Sequence, residues 1–395
     1  MGDHVDQWAN IHEDMLNDEI AKRIYSYDDY LRLRLVCKQW SFKLPKIPTA
    51  GNNVPWLLLP IGGTIDDDET TLDTTRLEEK EIYHLTLPVP PELQYNLIRG
   101  SCHGWLIIVS MYEGTIRMLN PLTKVCLDLP PISTLPDVIL NGDKLSFYHG
   151  AGMGTEDAIV SNRFIVWKVV MNSAPVDANG NANDFTAVAL YAASLAFYKS
   201  SKGRWLKLNS RHGRFFRDVI FFEGKIYAID DYGHLVEFDT MATKAGPVER
   251  IHETPPPYDI VPSNQVTNKK YLIGCADGSL LIVVRHLQNL LGYGGERYYE
   301  TFHFDIYELK KNAEAWSRIT CLGDYALVIG FNASLQMPAA NGKKNRIYFT
   351  DNFVQEQALV EHYYHNIGIF NLEDDSYQTV LEDDIFFSPP VWIFP

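Results

Sequence analysis

Ser101-Cys102-His103-Gly104 places a thiol beside an imidazole, the residue types of a cysteine nucleophile and its base. Adjacent side chains on a strand point to opposite faces, so Cys102 and His103 do not pair; the segment reads as a buried cysteine at a strand start. His362-x-x-His365 could bring two imidazoles together on a helix, but no third ligand is evident for a metal. Gly150-x-Gly152-x-Gly154 lacks the Gly-Lys-Ser/Thr of a phosphate-binding loop, has no βαβ unit around it, and reads as a flexible loop. Asp66-Asp67-Asp68 and Asp374-Asp375 read as solvated turns, because neither has EF-hand spacing. No Gly-x-Ser-x-Gly elbow occurs. Chemistry-bearing residues are present without converging, so the expectation is a non-enzymatic protein with no catalytic residue, metal or cofactor.

Recognition is a better use for what the chain does carry. The segment LLGYGGERYYE is glycine-rich and holds Tyr293, Tyr298 and Tyr299 in an expected loop. Aromatics on a loop held by a rigid scaffold suit target binding, with local packing as the competing reading. Trp105, Trp167, Trp205 and Trp316 lie in strand-like settings and are expected to wedge strand groups together.

The elements that must position these residues are short β-strands. GWLIIVS is followed by GTIRMLNPLTK, and RFIVWKVVM by FTAVALYAASLAFYKS. GKIYAIDDYGHLVEFD is a hairpin; GSLLIVVRH is answered by ETFHFDIYEL, and NRIYFTD by IGIFNLEDDSY. The openings at 104, 163, 224, 278 and 345 recur roughly every 60 residues. Repeated antiparallel groups at steady spacing indicate a β-propeller of about five to seven blades, with a pair of β-sandwiches as the alternative. The tail PPVWIFP is apolar to its last residue. It is expected to share a blade, or adjoining blades, with Val54–Leu59 and so to latch the ring.

The stretch from Trp8 to Trp40 differs. Leu16, Ile20 and Ile24 follow at i, i+4, i+8, one stripe of a helix. Asp14, Asp18 and Glu19 precede Lys22 and Arg23, as the helix dipole prefers. Ser26, Asp28 or Asp29 could cap a second helix with Leu31, Leu35 and Trp40 on one side. So short a segment seldom has a sufficient core, and must pack on the rest of the chain or on a partner.

The chain has 395 residues, 46% hydrophobic and 22% charged, the balance of an ordinary globular protein. A net charge of −15 argues against phosphate backbones and anionic membranes as partners, and Lys343-Lys344 is too small to change that. Five scattered cysteines argue against a disulfide framework. The polar, acidic N-terminus is neither a signal nor a transit peptide, and no apolar window is long enough to span a membrane, so cytoplasm or nucleus is the expected location.

WANIHEDML, IAKRI and LRLRLVCKQW, closing on Val36-Cys37-Lys38-x-Trp40, resemble the F-box, the module that recruits a Skp-family adaptor into a Skp–cullin–F-box ubiquitin ligase. The family usually has Leu-Pro at Ile11-His12, and one residue fewer between Leu16 and Ile20; an added residue turns a helix by about 100°. The resemblance implies an apolar framework of Ile11, Met15, Leu16, Ile20, Ile24, Leu35, Val36 and Trp40. The body resembles the C-terminal, kelch-like β-propeller of a large plant group of F-box proteins. SCHGWL, LNPLTK, GKIYAID, YLIGCADGSLLIVVR, WSRITCLGDYALVIGFN, NRIYFTD and PPVWIFP carry that likeness, in order. It implies a mainly β chain: a helical F-box over 1–45, a linker over 46–54 and a propeller over 55–395. It further implies a substrate-recognition subunit that reaches a cullin-RING ligase through the adaptor. A stand-alone binding or inhibitor protein with a degenerate F-box is the alternative.

Overall fold

The computed structural model describes residues 11–21, 33, 36–44, 56–59, 72–76, 81–85, 96–110, 112–120, 123–142, 144–149, 152–157, 165–177, 180–208, 215–239, 248–252, 266–291, 297–339, 343–350, 366–379 and 391–393. Seven sheets are formed among them. Blade 1 joins β1 (Trp56–Leu59), β2 (Leu72–Arg76) and β3 (Glu81–Leu85) to the last strand of the chain, β28 (Val391–Ile393). Blade 2 is β4 (Asn96–Cys102), β5 (Trp105–Ser110), β6 (Ile116–Leu119) and β7 (Cys126–Leu129). A separate three-stranded sheet follows: β8 (Val138–Asn141), β9 (Lys144–His149) and β10 (Gly152–Asp157). Gly152 and Gly154 therefore lie in a paired strand, where the sequence suggested a flexible loop. Blade 3 is β11 (Val166–Met171), β12 (Thr186–Tyr191), β13 (Ser194–Lys199) and β14 (Arg204–Lys207). Blade 4 is β15 (Phe216–Phe222), β16 (Lys225–Asp230), β17 (Leu235–Asp239) and β18 (Val248–His252). Blade 5 is β19 (Val266–Gly274), β20 (Leu280–Leu291), β21 (Arg297–Leu309) and β22 (Ser317–Ile319). Blade 6 holds β23 (Tyr325–Ile329), β24 (Leu335–Pro338), β25 (Arg346–Phe349), β26 (Gly368–Asn371) and β27 (Ser376–Thr379), in the order β24-β23-β25-β26-β27.

The ring is read from the strands that lie against one another between sheets: β28 on β4, β4 on β11, β11 on β15, β15 on β19 and β19 on β24. Six blades result, inside the expected range, with the β8–β10 sheet outside the ring. Apolar layers fill the spaces between blades. Trp105 and Trp205 lie in the layer of blades 2 and 3, where the Trp205 indole also donates to the Pro130 carbonyl at 2.9 Å. Trp316 is in the layer of blades 4 and 5, and Trp167 packs on that of blades 3 and 4. The expectation that these four wedge blades together is borne out.

Closure follows the sequence expectation too. β28 pairs antiparallel with β1, Leu57 opposite Trp392, so the two ends of the body share blade 1. Trp392 is fully buried among blade 6 residues Ala326, Val328, Met337 and Tyr348. Its indole donates to the Ile329 carbonyl at 2.9 Å, and its backbone exchanges hydrogen bonds with the Asn332 amide at 2.8 and 3.2 Å. A Cβ on Gly330 would lie 2.7 Å from the Trp392 ring, so the close approach requires glycine.

Blades 2, 3 and 4 repeat one local device. A β-bulge interrupts the inner strand between Ile98 and Gly100, Val166 and Lys168, and Phe216 and Asp218. A bulge re-aims the extra residue and bends the strand. The residue after it meets the next blade: Gly100 abuts the Val169 carbonyl, Lys168 Nζ reaches Asp218 at 2.6 Å, and Asp218 accepts from the Leu272 N–H at 2.8 Å. The Lys168–Asp218 pair is buried, and its geometry ties three blades together.

Candidate functional site

The helical segment builds its own small core. Leu16, Trp40 and Leu44 are buried together, with Ile11, Ile20, Ala21, Leu33 and Cys37 against them. The first helix is not a plain α-helix. Met15–Ile20 is π-helical, and the Ala21 N–H donates to the Leu16 carbonyl five residues back. A π turn absorbs one residue more than an α turn. The extra residue between Leu16 and Ile20 is accommodated there, and Ile20 still reaches the cluster of Leu16. Leu33 is helical, while the rest of the expected second helix up to Leu35 lies outside the described residues, and Trp40 belongs to a separate helix. It runs Lys38–Lys43, with Cys37 extended at its N-cap and its sulfur accepting from the Trp40 N–H at 3.5 Å. Val36 sits in the bend before it, so Val36 and Trp40 do not share a helical stripe. Lys43 Nζ donates to the Ile11 carbonyl at 2.5 Å and ties the two pieces together.

The implied framework therefore splits in two. Leu16 and Trp40 face inward, with Ile11 and Ile20 half-buried beside them, whereas Met15 is 55% exposed and Val36 is 61% exposed. Ile24 and Leu35 lie outside the described residues. The cluster leaves two large apolar side chains, one on each piece, in water.

The propeller offers a second surface. In blades 2 to 4 the second-to-third strand connections emerge on one face, and hydrogen bonds join them to chain that follows the blade. The Ile132 N–H donates to Gly114 and that of Phe216 to Ala193, at 2.8 and 2.9 Å, and Lys270 Nζ of β19 donates to the Asp231 carbonyl at 2.8 Å. Tyr112 and Phe215 are exposed on this face, Tyr232 is 75% exposed and Leu291 is 70% exposed. Sequence reasoning missed Tyr112, Phe215 and Tyr232. A signal was present: Tyr112-Glu113-Gly114 and Tyr232-Gly233 occupy the same connection in blades 2 and 4.

Tyr298 and Tyr299 are not in a loop. They belong to β21, opposite Leu290 and Asn289, because β20 and β21 continue well past the other blades' strands. Tyrosines are good strand formers, and that overrides the nearby glycines. Tyr293 lies outside the described residues. The extension is pinned to blade 6: Asn366 donates to the Tyr299 carbonyl at 3.0 Å and accepts from Arg285 at 2.8 Å. Buried Arg285 also donates to Thr301 and to the Thr350 carbonyl, and lies over the Phe349 ring at 4.5 Å.

Of the residues singled out for chemistry, Cys102, His103, Asp374 and Asp375 are among those described. Burial pushes the Cys102 thiol up to about 12, against a weaker opposing effect of the Met171 backbone. His103 sits in the hairpin at φ 53°, its Nε2 3.1 Å from the Met171 carbonyl. Asp374 accepts from the Ser376 N–H and hydroxyl at 3.0 and 2.6 Å, as a solvated turn does. His362, His365, Gly150 and Asp66–Asp68 lie outside the described residues. Among the described residues no group of three His, Cys, Asp or Glu is placed to hold a metal, and no helix is long and apolar enough to cross a membrane.

One polar cluster is buried within blade 5. Asp305 lies 2.8 Å from His286 Nε2, 3.6 Å from His303 Nε2 and 2.5 Å from Arg318. Burial opposes its charge, but the hydrogen bonds from His286 and His303 and the Arg318 guanidinium win, holding the carboxyl below its ordinary range. The bond to Asp305 raises the His303 imidazole above its usual value, against its own partial burial.

A family model described as the KIB1-4 β-propeller matches residues 74–371. The F-box protein SKIP23 of Arabidopsis thaliana is 24% identical, over 98% of this chain and 95% of its own length. A putative F-box protein of the same plant is 23% identical, over 94% of this chain and 92% of its own. Another F-box protein of that plant is 22% identical, over 98% and 94%.

Proposed function

The chain belongs to the KIB1-4 β-propeller family, and from that premise we propose that it is the substrate-recognition subunit of a Skp–cullin–F-box ubiquitin ligase. The observation that carries the reading is the helical unit, with its core of Leu16, Trp40 and Leu44 and with Met15 and Val36 left exposed. An adaptor that covers these two side chains gains the burial the unit cannot provide for itself. The naming of its relatives as F-box proteins supports the same assignment.

The propeller presents the target. Its exposed aromatics, Tyr112, Phe215 and Tyr232, lie on the face where the long strand β20 of blade 5 ends at exposed Leu291. Tyrosines on a rigid scaffold anchor partners at low entropic cost. The receptor has no chemistry of its own to perform. It raises the local concentration of a target, and the ligase transfers ubiquitin. It works in the cytoplasm or nucleus. The test is retention of a Skp-family adaptor by the full chain and by a chain lacking residues 1–45. Retention by the full chain alone is expected. Retention by neither would favour a stand-alone binding protein.

A further inference from the structure

The net charge of −15 conceals one stretch of opposite sign. From Lys199 to Arg217 the chain carries Lys199, Lys202, Arg204, Lys207, Arg211, Arg214 and Arg217, with no Asp or Glu among them. The fold spreads this run out. Arg217, though exposed, is already paired with Asp231 and stacked over Trp167 at 5.5 Å. Arg211 and Arg214 lie outside the described residues. The first four line the outer edge of blade 3: Lys199 ends β13, Lys202 is in the turn, and Arg204 and Lys207 open and close β14. Lys207 is paired with Asp137. Lys202 and Arg204 are exposed and make no ion pair among the described residues.

A lysine on an edge strand is a common guard against aggregation. That explanation also fits the single or mixed charges on the outer strands of the other blades, but it does not account for a run of cations with no carboxylate. The outermost strands of the other blades carry Glu81 in β3, Asp128 in β7, Glu249 beside Arg250 in β18, Arg318 tied to Asp305 in β22, and no charge in β27. Blade 3 alone among them has an outer strand with two charges of the same sign, both positive. Among the described residues β14 is also last in its sheet, so its outer side offers main-chain donors and acceptors.

We propose that the outer edge of blade 3 docks an acidic segment of a partner protein, an extended run with two or more Asp or Glu. Arg204 and Lys207 stand about 10 Å apart along the strand, a span three residues of an extended partner cover. The acidic remainder of the molecule is screened beyond roughly 8 Å at physiological salt. A short segment therefore meets the cations without the repulsion that a long polyanion, such as a nucleic acid, would meet. Such an edge serves a ligase receptor and a stand-alone binder equally.

The probe is a labelled Glu-rich peptide, titrated with the full chain by fluorescence anisotropy at about 50 and about 200 mM salt. Its all-Gln counterpart and a single-stranded oligonucleotide of equal charge run alongside. Lys202→Glu with Arg204→Glu should weaken peptide binding at least about tenfold, because two attractions become repulsions. Lys202→Gln with Arg204→Gln should give a smaller loss. Lys343→Glu with Lys344→Glu makes the same change in net charge elsewhere and should leave binding unchanged. Binding should also weaken at the higher salt. The proposal is overturned if the wild-type chain ignores the Glu-rich peptide or binds the all-Gln peptide equally. Tighter oligonucleotide binding, or equal losses from the two charge-reversal pairs, overturns it as well.

Discussion

Trp392→Ala should loosen the whole ring, although it alters one residue near the end of the chain. The indole is buried against blade 6 while its backbone pairs with β1 of blade 1. Truncating a buried tryptophan costs about 3–5 kcal/mol through lost contacts and the cavity left behind. The Ile329 carbonyl, now served by the indole at 2.9 Å, loses that donor, which places the loss in the upper half of that range. At about 2 °C per kcal/mol for a large domain, the melting temperature should fall by about 8 °C. Trp392→Phe keeps most of the contact area but not the N–H, and should lose roughly a third as much. Gly330→Ala should also destabilise, since its Cβ would press on the same ring. Tyr232→Ala, at an exposed turn, should melt within about 1 °C of wild type. Differential scanning calorimetry reads all four. A Trp392→Ala protein melting within about 2 °C of wild type would refute the latch.

The Asp305 cluster makes stability depend on pH in two directions. Its carboxyl is held below the ordinary value, so its contribution is present above about pH 4 and is lost as pH falls further. His303 is raised, so its contribution is complete below about pH 6.5 and is lost as pH rises through the higher folded value. The melting temperature should therefore peak between those limits, and His303→Gln should flatten the alkaline side; an unchanged slope would count against the pairing. Asp305→Asn should cost about 3–5 kcal/mol, because Arg318 loses its buried carboxylate, and urea titration at pH 6 reads the loss. Burial holds the thiols of Cys102 and Cys275 up, to about 12 and about 11, while Cys126 and Cys321 are exposed. Iodoacetamide followed by mass spectrometry should label the exposed pair and spare the other two; rapid labelling of Cys102 would contradict its burial.

The blades were legible where turn chemistry and strand pattern agreed. Glu223-Gly224 and His103-Gly104 announce hairpins, because glycine accepts positive φ. Ala192-Ala193 makes the same kind of turn with φ of 43° and 63°, and nothing in two alanines signals it. Strand β23 runs parallel to β25, a pairing that no local pattern encodes. In the helical unit the apolar residues were readable but their directions were not. The π turn and the Cys37 cap rotate Met15 and Val36 outward and Leu16 and Trp40 inward, and both depend on hydrogen bonds rather than on periodicity. On the propeller the recurring Tyr of the second-to-third strand connections was present in the sequence. It became visible as a common face only once the blades were aligned.

The central claim is that the exposed pair Met15 and Val36 docks a Skp-family adaptor. Titration of that adaptor with the full chain by isothermal calorimetry tests it directly. Met15→Asp with Val36→Asp places two charges in an apolar interface, and unpaired buried charges cost several kcal/mol. Affinity should fall by about 100-fold or more, with the melting temperature and circular dichroism unchanged, because both side chains are exposed in the free protein. Leu16→Asp marks the contrast, since it should disrupt the helical unit itself. A folded Met15→Asp, Val36→Asp protein that binds the adaptor as tightly as wild type would contradict the account, as would a wild-type chain that does not bind at all.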